Sequence, residues 1–71
     1  MKRKIYVEID LENAAFRDEG TDEVLRDAVK DFVRREVANG VERLAFTRKT
    51  DTVRLLDTNG NVVGTVVHGV A

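Results

Sequence analysis

From Lys4 to Glu12 the chain reads KIYVEIDLE, and Ile5, Val7, Ile9 and Leu11 alternate with Tyr6, Glu8, Asp10 and Glu12. A period of two is the signature of a half-buried strand, because successive side chains point to opposite faces. The alternation breaks over residues 13–20 (NAAFRDEG), where Ala14, Ala15 and Phe16 can plug the edge of a core and Asp18, Glu19 and Gly20 form a polar turn. Thr21 then reads as a helix N-cap, with Asp22 and Glu23 in the first turn, where carboxylates suit the positive end of the helix dipole. Val24, Leu25, Ala28, Val29, Phe32, Val33 and Val37 recur at helical spacing and make one apolar stripe, with Glu23, Arg26, Asp27, Lys30, Asp31 and Arg34 on the other side. Asn39-Gly40 predicts the end of the helix, since both residues tolerate the left-handed conformation of a C-terminal cap.

Beyond Gly40, residues 42–47 and 52–57 read as two strands rich in Leu, Val, Phe and Thr, separated by the polar RKTD of 48–51. Asn59-Gly60 inside DTNGNVV predicts a two-residue type I′ turn, which needs positive φ at both central positions, so the strands on either side of it must pair. The predicted order is β-α-β-β-β: an α+β domain with a four-stranded, largely antiparallel sheet and one helix packed on one face. The pattern holds no internal repeat, no linker and no proline.

One helix covers one face of such a sheet, so the other face of a free monomer should be polar. Leu55-Leu56, Val62-Val63 and Val66-Val67 instead put apolar side chains at both parities, so some of Leu56, Val63, Val66 and Val67, beside Tyr6, should lie on the uncovered side. Two readings follow. The patch is covered by a protein partner or a second copy, a common remedy for a domain with so small a core, or strand twist and the 13–16 segment hide it.

The 71 residues leave room for one domain, spanning 1–71, and 42% hydrophobic with 35% charged residues excludes a disordered tail. No apolar run approaches the roughly 18 residues of a membrane span, and residues 1–4 are not followed by the apolar stretch of a signal peptide. With no cysteine there is no disulfide framework and no thiolate metal site, which fits a cytoplasmic address. The net charge of −1 hides segregation: Lys2, Arg3 and Lys4 give the first strand a basic start, residues 8–31 hold nine acids against three bases, and residues 32–71 hold four acids against six bases. Such asymmetry makes an electrostatic dipole with an acidic helix side, or simply a well-solvated helix face.

Few residues offer chemistry. His68 is the single histidine and has no Ser or Cys at a recognisable spacing to activate. Glu8, Asp10 and Glu12 share one side of the first strand, where two carboxylates suit a cation or an acid and base pair, or where charge merely protects a strand edge. Asp57-Thr58-Asn59-Gly60-Asn61 matches the opening of a calcium loop, but Val62 and His68 stand where that loop needs Gly and Glu, so a hairpin turn explains the string better. Gly20 alone makes no phosphate loop, and the acids around Thr21 would repel phosphate. Direct nucleic-acid binding is disfavoured by the acidic helix side and a pI of 5.8. Catalytic, cofactor and metal sites are therefore not expected. A row of carboxylates at Glu19, Glu23, Asp27 and Asp31, spaced near one helical turn, is instead suited to a basic groove on a partner, though Arg26 and Lys30 dilute it.

At VEIDLENAAF (7–16) and DTNGNVVG (57–64) the chain resembles very short proteins encoded by bacteriophages and prophages, over most of its length. The shared motifs are structural: Asp10, Asn13, Ala14, Ala15 and Phe16 end a strand, and Asn59, Gly60 and Gly64 shape a hairpin. Small phage proteins of this size include anti-CRISPR inhibitors, single domains that dock on a host effector complex and block it. The resemblance implies a non-enzymatic protein-binding module of that kind, with Glu19, Glu23, Asp27 and Asp31, or Tyr6 and Leu56 on the sheet, as its contacts. A self-associating structural homodimer is the alternative.

Overall fold

The computed structural model describes residues 2–13, 16 and 20–70. The strand that the alternation predicts over 4–12 forms but is shorter: β1 spans Arg3–Ile9, and the chain leaves the sheet in a turn over 11–12, where Leu11 is exposed. Thr21 caps the helix, its extended backbone (φ −140°, ψ 159°) letting the hydroxyl accept the Val24 N–H at 3.2 Å. The helix then runs without a break through α1 (Asp22–Phe32), a π-helical segment (Val33–Val37) and α2 (Ala38–Arg43). It is followed by β2 (Asp51–Leu56) and β3 (Val62–Val70). No helix among the described residues is long and apolar enough to cross a membrane.

Among the described residues the sheet therefore has three strands and not four. It is antiparallel, in the order β1-β3-β2, with one helix on one side. The expected strand over 42–47 does not form, because the helix does not stop at Asn39-Gly40. Gly40 is buried and helical, and a Cβ on it would lie 2.8 Å from Leu55 Cδ2 and 3.1 Å from Val66 Cγ2. This glycine lets the helix backbone press onto the sheet; it is not a cap. The helix ends at Leu44, whose extended backbone (φ −68°, ψ 138°) turns its buried side chain into the core while its N–H reaches back to the Val41 carbonyl. Backbone groups that a ladder would have satisfied are met locally, as where the Ala45 N–H donates to Asp51 Oδ2 at 2.8 Å.

The π segment keeps the apolar stripe in register. An α-helical step of four from Phe32 would bring Glu36 to the sheet. The wider turn, closed by the Ala38 N–H on the Val33 carbonyl, brings Val37 instead, and Val41 and Leu44 continue the line. Leu25, Ala28 and Val29 pack on the core from α1, whereas Val24 and Val33, placed on the stripe by their spacing, are exposed. Phe16 is buried and meets Phe32 edge-on, ring centres 5.7 Å apart.

The hairpin between β2 and β3 forms, with a different turn. Asn59 does not have positive φ, so the turn is not type I′; Gly60 alone takes the left-handed conformation, at φ 85°. Asp57 N–H donates to the Asn61 carbonyl and Gly60 N–H to the Asp57 carbonyl, which closes a three-residue loop. The ladder then slips by one residue, Leu55 facing Gly64 and Leu56 facing Val62. The bulge turns Val63 inward, so Leu55, Val63 and Val66 are all fully buried; of the four residues expected to supply the uncovered side, Leu56 is exposed and Val67 half-buried there.

Candidate functional site

Cross-strand partners share a face, so the register assigns every sheet residue. Ile5, Val7 and Ile9 lie with His68, Val66 and Gly64 on the helix side, and Lys4, Tyr6 and Glu8 lie with Gly69, Val67 and Thr65 on the other. The main contacts of the helix with the sheet are made by residues 33–43 on β2 and β3, which leaves β1 projecting beyond it. As a result Ile5 and Val7, which face the core side, are 46% and 44% exposed, and Tyr6 on the opposite face is 51% exposed. Sequence reasoning missed Ile5 and Val7. Their alternation marks them as core positions, and they stay open because the helix lies over β2 and β3 while β1 takes the far edge.

Tyr6 and Leu56, both expected on the uncovered face, are indeed exposed, but they do not form one patch. Tyr6 sits in a row with Val67 and Thr52, while Leu56 pairs with Val62 at the hairpin end, four residues further along β2, or about 13 Å. Glu8, Thr65 and Arg54 occupy the row between.

The acidic helix side is less acidic than its sequence. Glu23 and Asp27 are exposed on α1. Asp31, one turn further on, is already engaged: Oδ2 accepts from Arg35 Nη2 at 2.8 Å and Nε at 3.1 Å, and Oδ1 lies 3.5 Å from Arg34 Nη2. The hydrogen-bonded Arg35 guanidinium, with Arg34 beside it, holds the Asp31 carboxyl below its ordinary range. Glu19 lies outside the described residues.

His68 is 1% exposed, so the candidate base is sealed in the fold. Its Nε2 accepts from Arg3 Nε at 3.1 Å, and its Nδ1 has no partner among the described residues. Arg3 Nη2 also donates to the Phe46 carbonyl at 2.6 Å, and the Phe46 ring tilts against His68 at 5.1 Å. Arg3, Lys4, Ile5, Phe46 and His68 line a shallow, largely apolar cleft of about 420 Å³ at the basic end of β1.

The calcium-like string is consumed by its own turn. Asp57 Oδ1 accepts the Asn59 and Asn61 N–H groups at 2.8 and 2.9 Å, and Oδ2 accepts Asn61 Nδ2 at 3.3 Å. Those bonds, the Asn61 amide first, lower the Asp57 pKa. Asp51 is lowered in the same way, chiefly by the Ala45 amide. Among the described residues no three His, Asp or Glu side chains are grouped to hold a metal ion.

No protein-family model, curated protein or solved structure matches the chain.

Proposed function

We propose that this chain is a non-enzymatic, cytoplasmic protein-binding module that docks through β1. The observation carrying this reading is the exposure of Ile5, Tyr6 and Val7 on consecutive positions of an edge strand, with apolar side chains open on both faces. An uncapped edge beside exposed apolar residues is a template for another chain. The sealing of His68 by Arg3 and the engagement of Asp57 in its turn argue in the same direction, because the groups best suited to chemistry are committed to the fold. The resemblance to short phage and prophage proteins supports a finer form, an anti-CRISPR-type inhibitor that blocks a host effector complex with the surfaces that docking through β1 leaves open.

A photo-crosslinking amino acid at Tyr6, introduced in bacterial cells, tests the reading. A discrete adduct of this chain with a protein is expected, and it should survive Glu23→Lys and Asp27→Lys. Absence of any adduct from a folded chain overturns the reading; an adduct lost on those two reversals moves the contact to the helix.

A further inference from the structure

We propose that the protein bound by this surface is a second copy of the chain, paired antiparallel β1 to β1 about a two-fold axis at Tyr6. The inference rests on the docking reading above and names its partner. Three features of β1 carry it.

The first is the direction of its backbone groups. The Asp10 N–H donates to the Val63 carbonyl at 2.7 Å, in the same register that pairs Glu8 with Thr65 and Tyr6 with Val67. Bonding alternates along an antiparallel strand, so even-numbered residues direct their amides at β3 and Arg3, Ile5, Val7 and Ile9 direct theirs at the open edge. A second β1 centred on Tyr6 pairs those four with one another, Arg3 with Ile9 and Ile5 with Val7 of the second copy, over the whole Arg3–Ile9 strand.

The second is charge. β1 follows Lys2, opens on Arg3 and Lys4, carries Glu8 near its end and leads into Asp10 and Glu12. In the antiparallel pairing Lys4 faces Glu8 and Lys2 faces Asp10 of the second copy, twice each by symmetry, with Tyr6 against Tyr6. Parallel pairing would set like charges side by side. An isologous interface has to be self-complementary, and this strand is so in one direction only.

The third is surface. Ile5, Tyr6 and Val7 are 46%, 51% and 44% exposed, so the edge presents apolar side chains on both faces of the sheet. Pairing would bring Ile5 and Val7 of both copies together on the helix side of a six-stranded sheet.

Sedimentation of the intact chain over a range of concentrations tests the proposal. The wild type should be a dimer. Lys4→Glu and Glu8→Lys should each weaken dimerisation by about tenfold or more, since each sets two like-charged pairs across the axis. Mixing the two variants should restore the dimer, because a carboxylate at position 4 of one chain then meets an ammonium at position 8 of the other while the remaining pair is native. Both residues are exposed, so circular dichroism of the variants should match the wild type. A monomeric wild type, a dimer indifferent to either reversal, or a mixture that stays monomeric overturns the proposal. A monomer whose position 6 still crosslinks to another protein removes only the second copy; a monomer without crosslinks removes the docking reading as well.

Discussion

Gly40→Ala sets two physical effects against each other, and the structure decides the sign. In an open helical position the change stabilises by about 1 kcal/mol, because alanine loses less backbone freedom on folding. At Gly40 the new methyl would stand 2.8 Å from Leu55 Cδ2, 3.1 Å from Val66 Cγ2 and 3.8 Å from Val66 Cβ. Carbon atoms prefer separations of about 3.5–4.0 Å, so two of these three contacts must open by about half an ångström. Neither neighbour can swing into solvent, since both are fully buried, and Val66 is stiff at χ1. The helix must lift off β2 and β3, loosening Val41 and Leu44 with it. Overpacking of this kind costs about 1–3 kcal/mol, and after the helix-propensity gain a net loss of about 1 kcal/mol is expected. Urea unfolding followed by circular dichroism, at one fixed protein concentration, measures it. Leu55→Val should recover part of the loss, with a coupling of about 0.5 kcal/mol or more between the two sites. A Gly40→Ala variant at least as stable as the wild type would refute the close approach and return Gly40 to the role of a helix terminator.

Gly64 is tighter still, because a Cβ there would run into the backbone carbonyl of Glu8, which no rotamer change relieves. Gly64→Ala should cost about 3 kcal/mol or more and disrupt the β1–β3 ladder, whereas Gly20→Ala, with open space around it, should stay within about 0.5 kcal/mol of wild type; equal effects in thermal unfolding would contradict the register. The Asp57 carboxyl is lowered by its turn amides, so its contribution to stability is present above the unfolded-state pKa of about 3.9 and is lost as pH falls through the lower folded value. Stability of the wild type should therefore fall more steeply than that of Asp57→Asn on acidification below about pH 4, and parallel curves would show that the carboxylate does not hold the turn.

Local interactions made much of the molecule legible in the sequence. β1 follows from strict alternation, the helix start from Thr21 and its two acids, and the β2–β3 hairpin from two apolar runs around Asn59-Gly60, because each depends on neighbours within a few residues. The helix end was misread for a physical reason: Asn39-Gly40 suits a cap in isolation, and nothing local shows that Leu55 and Val66 press against that glycine. The continuing step from Val37 to Val41 to Leu44 was the signal that the helix goes on. The turn type also escaped, because Asp57 supplies side-chain bonds that favour a three-residue loop with one left-handed residue.

The candidate surface divides in the same way. Charge order along β1 and the alternation of Ile5, Tyr6 and Val7 are properties of the sequence alone. Whether those residues are buried depends on which strand takes the sheet edge and how far one helix reaches across it. The bulge that draws Val63 inward and the Arg3 contact that seals His68 are likewise tertiary, whereas the Arg34 and Arg35 side chains reach Asp31 at i,i+3 and i,i+4 spacing along one helix and are local. Periodicity marked β1, the start of the helix and the two hairpin strands, since each repeat is set by neighbours a few residues apart, but it placed a strand over 42–47 where the helix continues. Strand order together with the placement of the helix determined which of them stay exposed, since both are set by contacts between residues far apart in the chain, such as Gly40 with Leu55 and Val66.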